Sequence, residues 1–175
     1  MNIEPALDSL LQSIGRLLGL PDLAWDEQHS CTLSFGDDVH LTLYPDEEQA
    51  DLTMYTLVGE LPAQAPLAVW SELMAANLFG KGTGGATLGY EPDSQWVYLS
   101  RRLPAEGLTA QRWLGEMKAF VGACRQWLSR WSQLLAQAGK GSDSGGAPQG
   151  DGSFVNSAAT PADFREGIGA DMLRA

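Results

Sequence analysis

The stretch Gly80-Lys81-Gly82-Thr83-Gly84-Gly85 satisfies the string G-x-G-x-x-G, and glycines so spaced can bring backbone N–H groups against a pyrophosphate. The flanks argue against that chemistry. A dinucleotide site needs a strand, a tight turn and then a helix N-terminus, whereas a helical pattern precedes this stretch and a strand-like one follows it. Lys81 is followed by Gly82 rather than Ser or Thr, which excludes a P-loop. His29, Cys31 and His40 could meet on neighbouring strands, but two His and two Cys without C-x-x-C or H-x-x-x-H spacing read as strand-edge histidines, not as metal ligands. No G-x-S-x-G or H-E-x-x-H motif is present. The pair Asp37-Asp38 falls in what reads as an exposed turn, where nothing raises one carboxyl into the range of a general acid. No catalytic residue, metal ligand or cofactor is assigned on these grounds, and the chain is expected to bind rather than to catalyse.

The elements that would carry a binding surface follow from periodicity. Leu7, Leu10, Leu11, Ile14, Leu17 and Leu18 recur at i, i+3, i+4, i+7, with Pro5 near the start and Gly19 to Pro21 as a stop, predicting an amphipathic helix. Three short runs follow, Cys31 to Phe35, Val39 to Tyr44 and Asp51 to Leu61, separated by Gly36-Asp37-Asp38 and by Pro45 to Gln49; they read as an antiparallel meander. In the first two, Leu33, Phe35, Val39, Leu41 and Leu43 share one face while Thr32, Ser34, His40 and Thr42 share the other. In the third, Leu52, Met54 and Val58 alternate with Tyr55 and Leu57, so both faces are apolar and one needs a cover from elsewhere. Leu67 to Phe79 reads as a second helix. Ala86 to Glu91 and Gln95 to Leu103 form a hairpin around Pro92-Asp93-Ser94. A third helix is expected from an N-cap at Thr109 to about Gln137, with Trp113, Met117, Phe120, Cys124, Trp127 and Trp131 on one stripe and Leu114, Val121, Leu128 and Leu135 beside it.

Composition bounds the class. The chain has 175 residues, of which 44% are hydrophobic, enough to bury a core without metal or disulfide. Twenty-two acidic residues against 11 Lys and Arg give a net charge of -11, which repels nucleic acid and anionic membranes alike. Between Met1 and Glu60 the only cationic side chain is Arg16. Cys31 and Cys124 lie far apart in apolar patterns, as buried reduced thiols do. With no basic leader followed by an apolar stretch, and no apolar run of membrane-spanning length, a cytoplasmic location is expected. From Gly139 to about Ala159 the composition turns to Gly, Ser, Asp, Ala and Pro, which cannot offset the entropy of ordering. The sequence thus divides into a domain over 1–137 and a flexible tail over 138–175. A short helix at 160–173 is expected in that tail, where Phe164, Ile168 and Met172 recur at four-residue steps.

The order helix, three strands, helix, two strands, helix (α-β-β-β-α-β-β-α) predicts an α+β domain. It resembles the class I chaperones of bacterial type III secretion, the CesT/SycE-like family. The resemblance is carried most specifically by Asn77-Leu78-Phe79, by Thr83-Gly84-Gly85-Ala86-Thr87-Leu88-Gly89-Tyr90 and by Val97-Tyr98-Leu99-Ser100-Arg101-Arg102-Leu103-Pro104, and it extends over about residues 1–137. It implies a homodimer that holds the N-terminal segment of a secreted effector in an export-competent state without ATP, and that engages the export apparatus. The implied twofold interface comprises Trp70, Leu73, Met74, Asn77, Leu78, Ala86, Leu88 and Tyr90. The implied effector-binding surface comprises Leu7 and Leu11 of the first helix with Leu33, Phe35, Leu41, Leu43 and Met54 of the meander. An alternative on the same fold is a regulator that sequesters a cytoplasmic partner of the secretion system; a small enzyme is the least supported reading.

Overall fold

Helix α1 spans Glu4–Leu18 and buries Leu7, Leu11 and Ile14, the i, i+4, i+7 stripe of its sequence. Its end is fixed by Gly19 at φ +76°, with Leu20 N–H bonded to Gly15 O at 2.7 Å and Gly19 N–H to Arg16 O at 3.3 Å. This paired pattern satisfies carbonyls that a helix terminus otherwise leaves open. The computed structural model describes residues 4–46, 51–62 and 64–141. The expected tail helix at 160–173 and most of the linker before it lie outside the described residues.

Five strands follow, β1 (Cys31–Phe35), β2 (Val39–Asp46), β3 (Asp51–Glu60), β4 (Thr87–Glu91) and β5 (Trp96–Pro104), with α2 (Leu67–Asn77) between β3 and β4 and α3 (Ala110–Gly141) last. They form one antiparallel sheet in the order β1-β2-β3-β5-β4. The expected meander and hairpin are both present. β2 runs past Tyr44 because Pro45 and Asp46 still pair with Leu52 and Asp51. α2 ends at Asn77 rather than Phe79: the chain passes into a single 3-10 turn over Leu78–Gly80, in which Phe79 takes φ +55°. α3 starts where Thr109 caps it, its Oγ1 accepting Arg112 N–H at 3.2 Å, and it continues beyond Gln137 to Gly141.

One face of the sheet meets the helices. Leu33, Val39, Leu41, Leu43, Leu52, Met54, Leu88, Val97 and Leu99 project from it, buried together with Trp113, Met117, Phe120, Cys124, Trp127 and Trp131 of α3. The register places the alternate residues of each strand, among them Thr32, Ser34, His40, Tyr55, Leu57, Trp96, Tyr98 and Thr87, on the opposite face. Large aromatic residues in α3 demand room, and β3 supplies it through a bulge between Leu57 and Gly59 that turns Gly59 toward Trp131.

Candidate functional site

The residues with latent chemistry are consumed by the fold. Gly82 N–H donates to Ala76 O at 3.1 Å, and Gly82 O accepts the indole N–H of Trp127 at 3.0 Å. A Cβ on Gly82 would lie 2.7 Å from the Ala76 backbone, so this glycine permits α2 and α3 to close on the loop. Gly80 O accepts Gly85 N–H at 3.0 Å and Thr83 N–H at 3.3 Å. The glycine-rich stretch is therefore a joint whose polar groups face its own chain. His40 Nδ1 lies 3.1 Å from Ser34 Oγ on the sheet. Among the described residues no group of three or more His, Cys, Asp or Glu could hold a metal ion. Burial pushes the Cys31 thiol up to about 11, with the charge of Asp26 adding to it, and the Cys124 thiol up to about 12. Thiols so disposed are neutral and inert near neutral pH.

What remains is surface suited to protein. α2 has two apolar faces. Val69, Leu73 and Ala76 face the core, while Leu67 and Met74 are exposed by 79% and 63% on the other side, continued by Leu78 at 60% and Phe79 at 85%. Ser71, Glu72 and Asn77 are the only polar residues of this helix, and large apolar side chains exposed together on one side of a helix mark an interaction surface. Phe79 holds its side chain outward from a left-handed backbone that a bulky residue seldom adopts. Beside the stripe, Trp70 and Tyr90 are half-buried and meet edge to face at 4.7 Å.

The expected interface set divides accordingly. Met74 and Leu78 are exposed, and Trp70 and Tyr90 are partly so. Leu73, Ala86 and Leu88 are buried in the core of their own chain; alternation along α2 and β4 could not separate the inward stripe from the outward one. Asn77 is engaged internally: its Nδ2 donates to Leu88 O at 2.9 Å and its Oδ1 accepts Leu88 N–H at 2.8 Å. A side chain here imitates a neighbouring strand. Leu67 and Phe79 are missing from the expected interface set, although the scarcity of polar residues between them, Ser71, Glu72 and Asn77 alone, is the signal that could have found them.

The two sheet edges differ as docking sites. On β4 the outward groups of Leu88 are taken by Asn77, and those of Ala86 by Thr83, whose O accepts Ala86 N–H at 3.2 Å and whose hydroxyl donates to Ala86 O. That edge is blocked at Leu88 and just before the strand at Ala86. β1 is the other edge, with Arg125 of α3 donating to Phe35 O at 3.0 Å and to Asp38 at 3.1 Å. An edge strand presents backbone donors and acceptors to an incoming extended segment.

The expected effector-binding set needs correction in its exposure. Leu7, Leu11, Leu33, Leu41, Leu43 and Met54 are between 0% and 5% exposed, so none presents its side chain to a partner in this conformation. Phe35, on β1, is half-buried. The physical reason is that strand alternation tells which residues share a face, not which face the helices cover. The open face instead carries Tyr55, Leu57, Trp96 and Tyr98, all half-buried, and α1 exposes Leu17 by 51% with Leu20 beyond it at 46%.

Comparison with known proteins gives a consistent answer. Residues 9–128 match the model of the Tir chaperone protein (CesT) family. A Tir chaperone of Citrobacter freundii is 24% identical over 112 residues, which is 64% of this chain and 70% of that protein. Among solved structures, the HopA1-SchA chaperone-effector complex is similar with a TM-score of 0.59 at 24% identity, covering 70% of this chain and 93% of that one. The ExsC-ExsE complex is similar with a TM-score of 0.63 at 20% identity, covering 74% and 96%.

Proposed function

The chain belongs to the Tir chaperone protein (CesT) family, and from that premise we propose that it is a homodimeric type III secretion chaperone that holds the N-terminal segment of an effector, in the bacterial cytoplasm, ready for export. The observation that carries this reading is the family match over residues 9–128 on a fold whose glycine-rich loop and two cysteines are engaged internally while large apolar side chains of α2 stand exposed. Holding needs no bond making, no ATP and no cofactor: affinity comes from apolar burial and from main-chain pairing. Its role is binding and not catalysis.

The dimer closes through α2, with Met74, Leu78, Leu67 and Phe79 meeting their symmetry mates and Trp70 and Tyr90 at the flank. A twofold interface uses the same patch on both copies, and a helix apolar on both sides is satisfied once in the monomer core and once across the axis. The effector segment adds along β1, because Asn77 occupies the outward groups of Leu88 on the opposite edge of the sheet. No helix among the described residues is long and apolar enough to cross a membrane.

The test is a deletion of the coding gene in the source bacterium with comparison of proteins released under secretion-inducing conditions. Loss of one or a few secreted proteins, restored by the full chain, is the expected outcome. Unchanged release of every secreted protein contradicts the reading. A bound partner that never leaves the cell would instead favour the sequestering regulator.

A further inference from the structure

The open sheet face changes character across its width. Toward β1 and β2 it is hydroxylic, with Thr32 and Thr42 Oγ1 atoms 3.1 Å apart and Ser34 beside His40. Toward β3, β5 and β4 it becomes aromatic. Tyr98 meets Tyr55 at 6.3 Å and Trp96 at 6.2 Å, both edge to face. The register then sets a carboxylate on each side of the indole, because Trp96 pairs with Glu60 of β3 and with Glu91 of β4. Glu60 is exposed, whereas Glu91 is 5% exposed, with its Oε1 accepting Asp93 N–H at 3.1 Å. Opposite Tyr98 stands Gly89, where a Cβ would meet nothing within 4 Å. The missing side chain leaves the β4 flank of that ring open. Burial first, then the charges of Tyr55 and Glu91, push the Tyr98 hydroxyl well above its ordinary range.

These features select an occupant. A purely apolar segment would strip water from the exposed Glu60 carboxylate without giving it a partner, and an anionic one would be repelled. A guanidinium or ammonium over the ring faces gains from the quadrupole of the aromatic rings and from the exposed Glu60 carboxylate, with the negative charge of the buried Glu91 adding at longer range. We infer that this end of the open sheet face, built on Trp96 and Tyr98 between Glu60 and Glu91, docks an arginine or lysine side chain of an extended partner segment. The inference rests on the chaperone reading for the nature of the partner and adds the chemical feature by which this face selects it. The net charge of -11 favours the approach of such a segment.

The probe is Nα-acetyl-L-arginine amide, with the neutral isostere Nα-acetyl-L-citrulline amide as control, titrated into the isotope-labelled full chain and followed by amide and indole N–H resonances. Saturable shifts at Gly89, Glu91, Trp96 and Tyr98 with the arginine compound, absent with citrulline, are expected. In the double variant Glu60→Gln, Glu91→Gln the affinity should fall by about fivefold or more. Glu60→Gln alone, at an exposed position, should weaken binding with the fold intact should the double variant misfold. Equal responses to both compounds, or equal affinity in Glu60→Gln and the parent chain, overturn the inference. A parent chain that is silent while Arg165→Gln, Arg174→Gln responds also overturns it, by assigning the face to the chain's own tail. The gene-deletion assay does not depend on this face, so failure here and failure of the chaperone reading are told apart.

Discussion

Trp131 lies against the β3 bulge so closely that any side chain on Gly59 would overlap its indole nitrogen. Gly59→Ala should therefore destabilise by about 1–3 kcal/mol through overpacking, measured by urea unfolding. Asn77 works by geometry, supplying one donor and one acceptor to the backbone of Leu88. Asn77→Ala leaves both backbone groups without those partners and should cost about 1–3 kcal/mol. The thiols give a pH signature. In the folded chain Cys31 is held at about 11 and Cys124 at about 12, against 9.0 for an ordinary thiol. Raised values mean that folding favours the neutral forms, a contribution fully present below pH 9.0 and lost as pH rises through those folded values. Stability should thus decline above pH 9.0, and both thiols should resist a thiol reagent at neutral pH until the chain is unfolded. A fast-reacting native thiol would contradict the burial.

At the scale of elements, α2 gives the sharpest contrast, because neighbouring residues have opposite fates. Met74→Glu with Leu78→Glu touches exposed positions and should give a folded monomer by analytical ultracentrifugation with the circular dichroism of the parent. Leu73→Glu inserts a charge at a position 3% exposed and should cost about 3 kcal/mol or more, losing the fold instead. Identical behaviour of the two would show that α2 does not divide into a core face and a contact face. The same contrast marks how far the sequence could be read. Helix periodicity located α1 and α3, and β-branched runs between turn residues located the sheet, because each pattern has its own repeat. What stayed hidden was which face the helices cover. Leu33, Leu41 and Met54 share a face by alternation, but only the packing of Trp113, Phe120 and Trp127 on that face makes it core. The end of α2 was misjudged at Phe79 because a left-handed aromatic residue has no signature in its neighbours.

For the whole molecule, a net charge of -11 combined with apolar contact surface predicts a division of labour. Charge speeds encounter with a basic segment and burial holds it, so added salt should slow association far more than it hastens release. An exposed ion pair such as Arg125 with Asp38 at 3.1 Å contributes little to stability by comparison. The family membership, the exposed apolar side of α2 and the β1 edge are what the proposed dimer holding one extended chain rests on. The most direct measurement is native mass spectrometry of the full chain purified gently from its own cells. The account predicts a complex of two 18.8 kDa chains with one copy of a secreted protein, from which Met74→Glu with Leu78→Glu removes one chaperone chain. A monomer of 18.8 kDa with no secreted protein bound would contradict it.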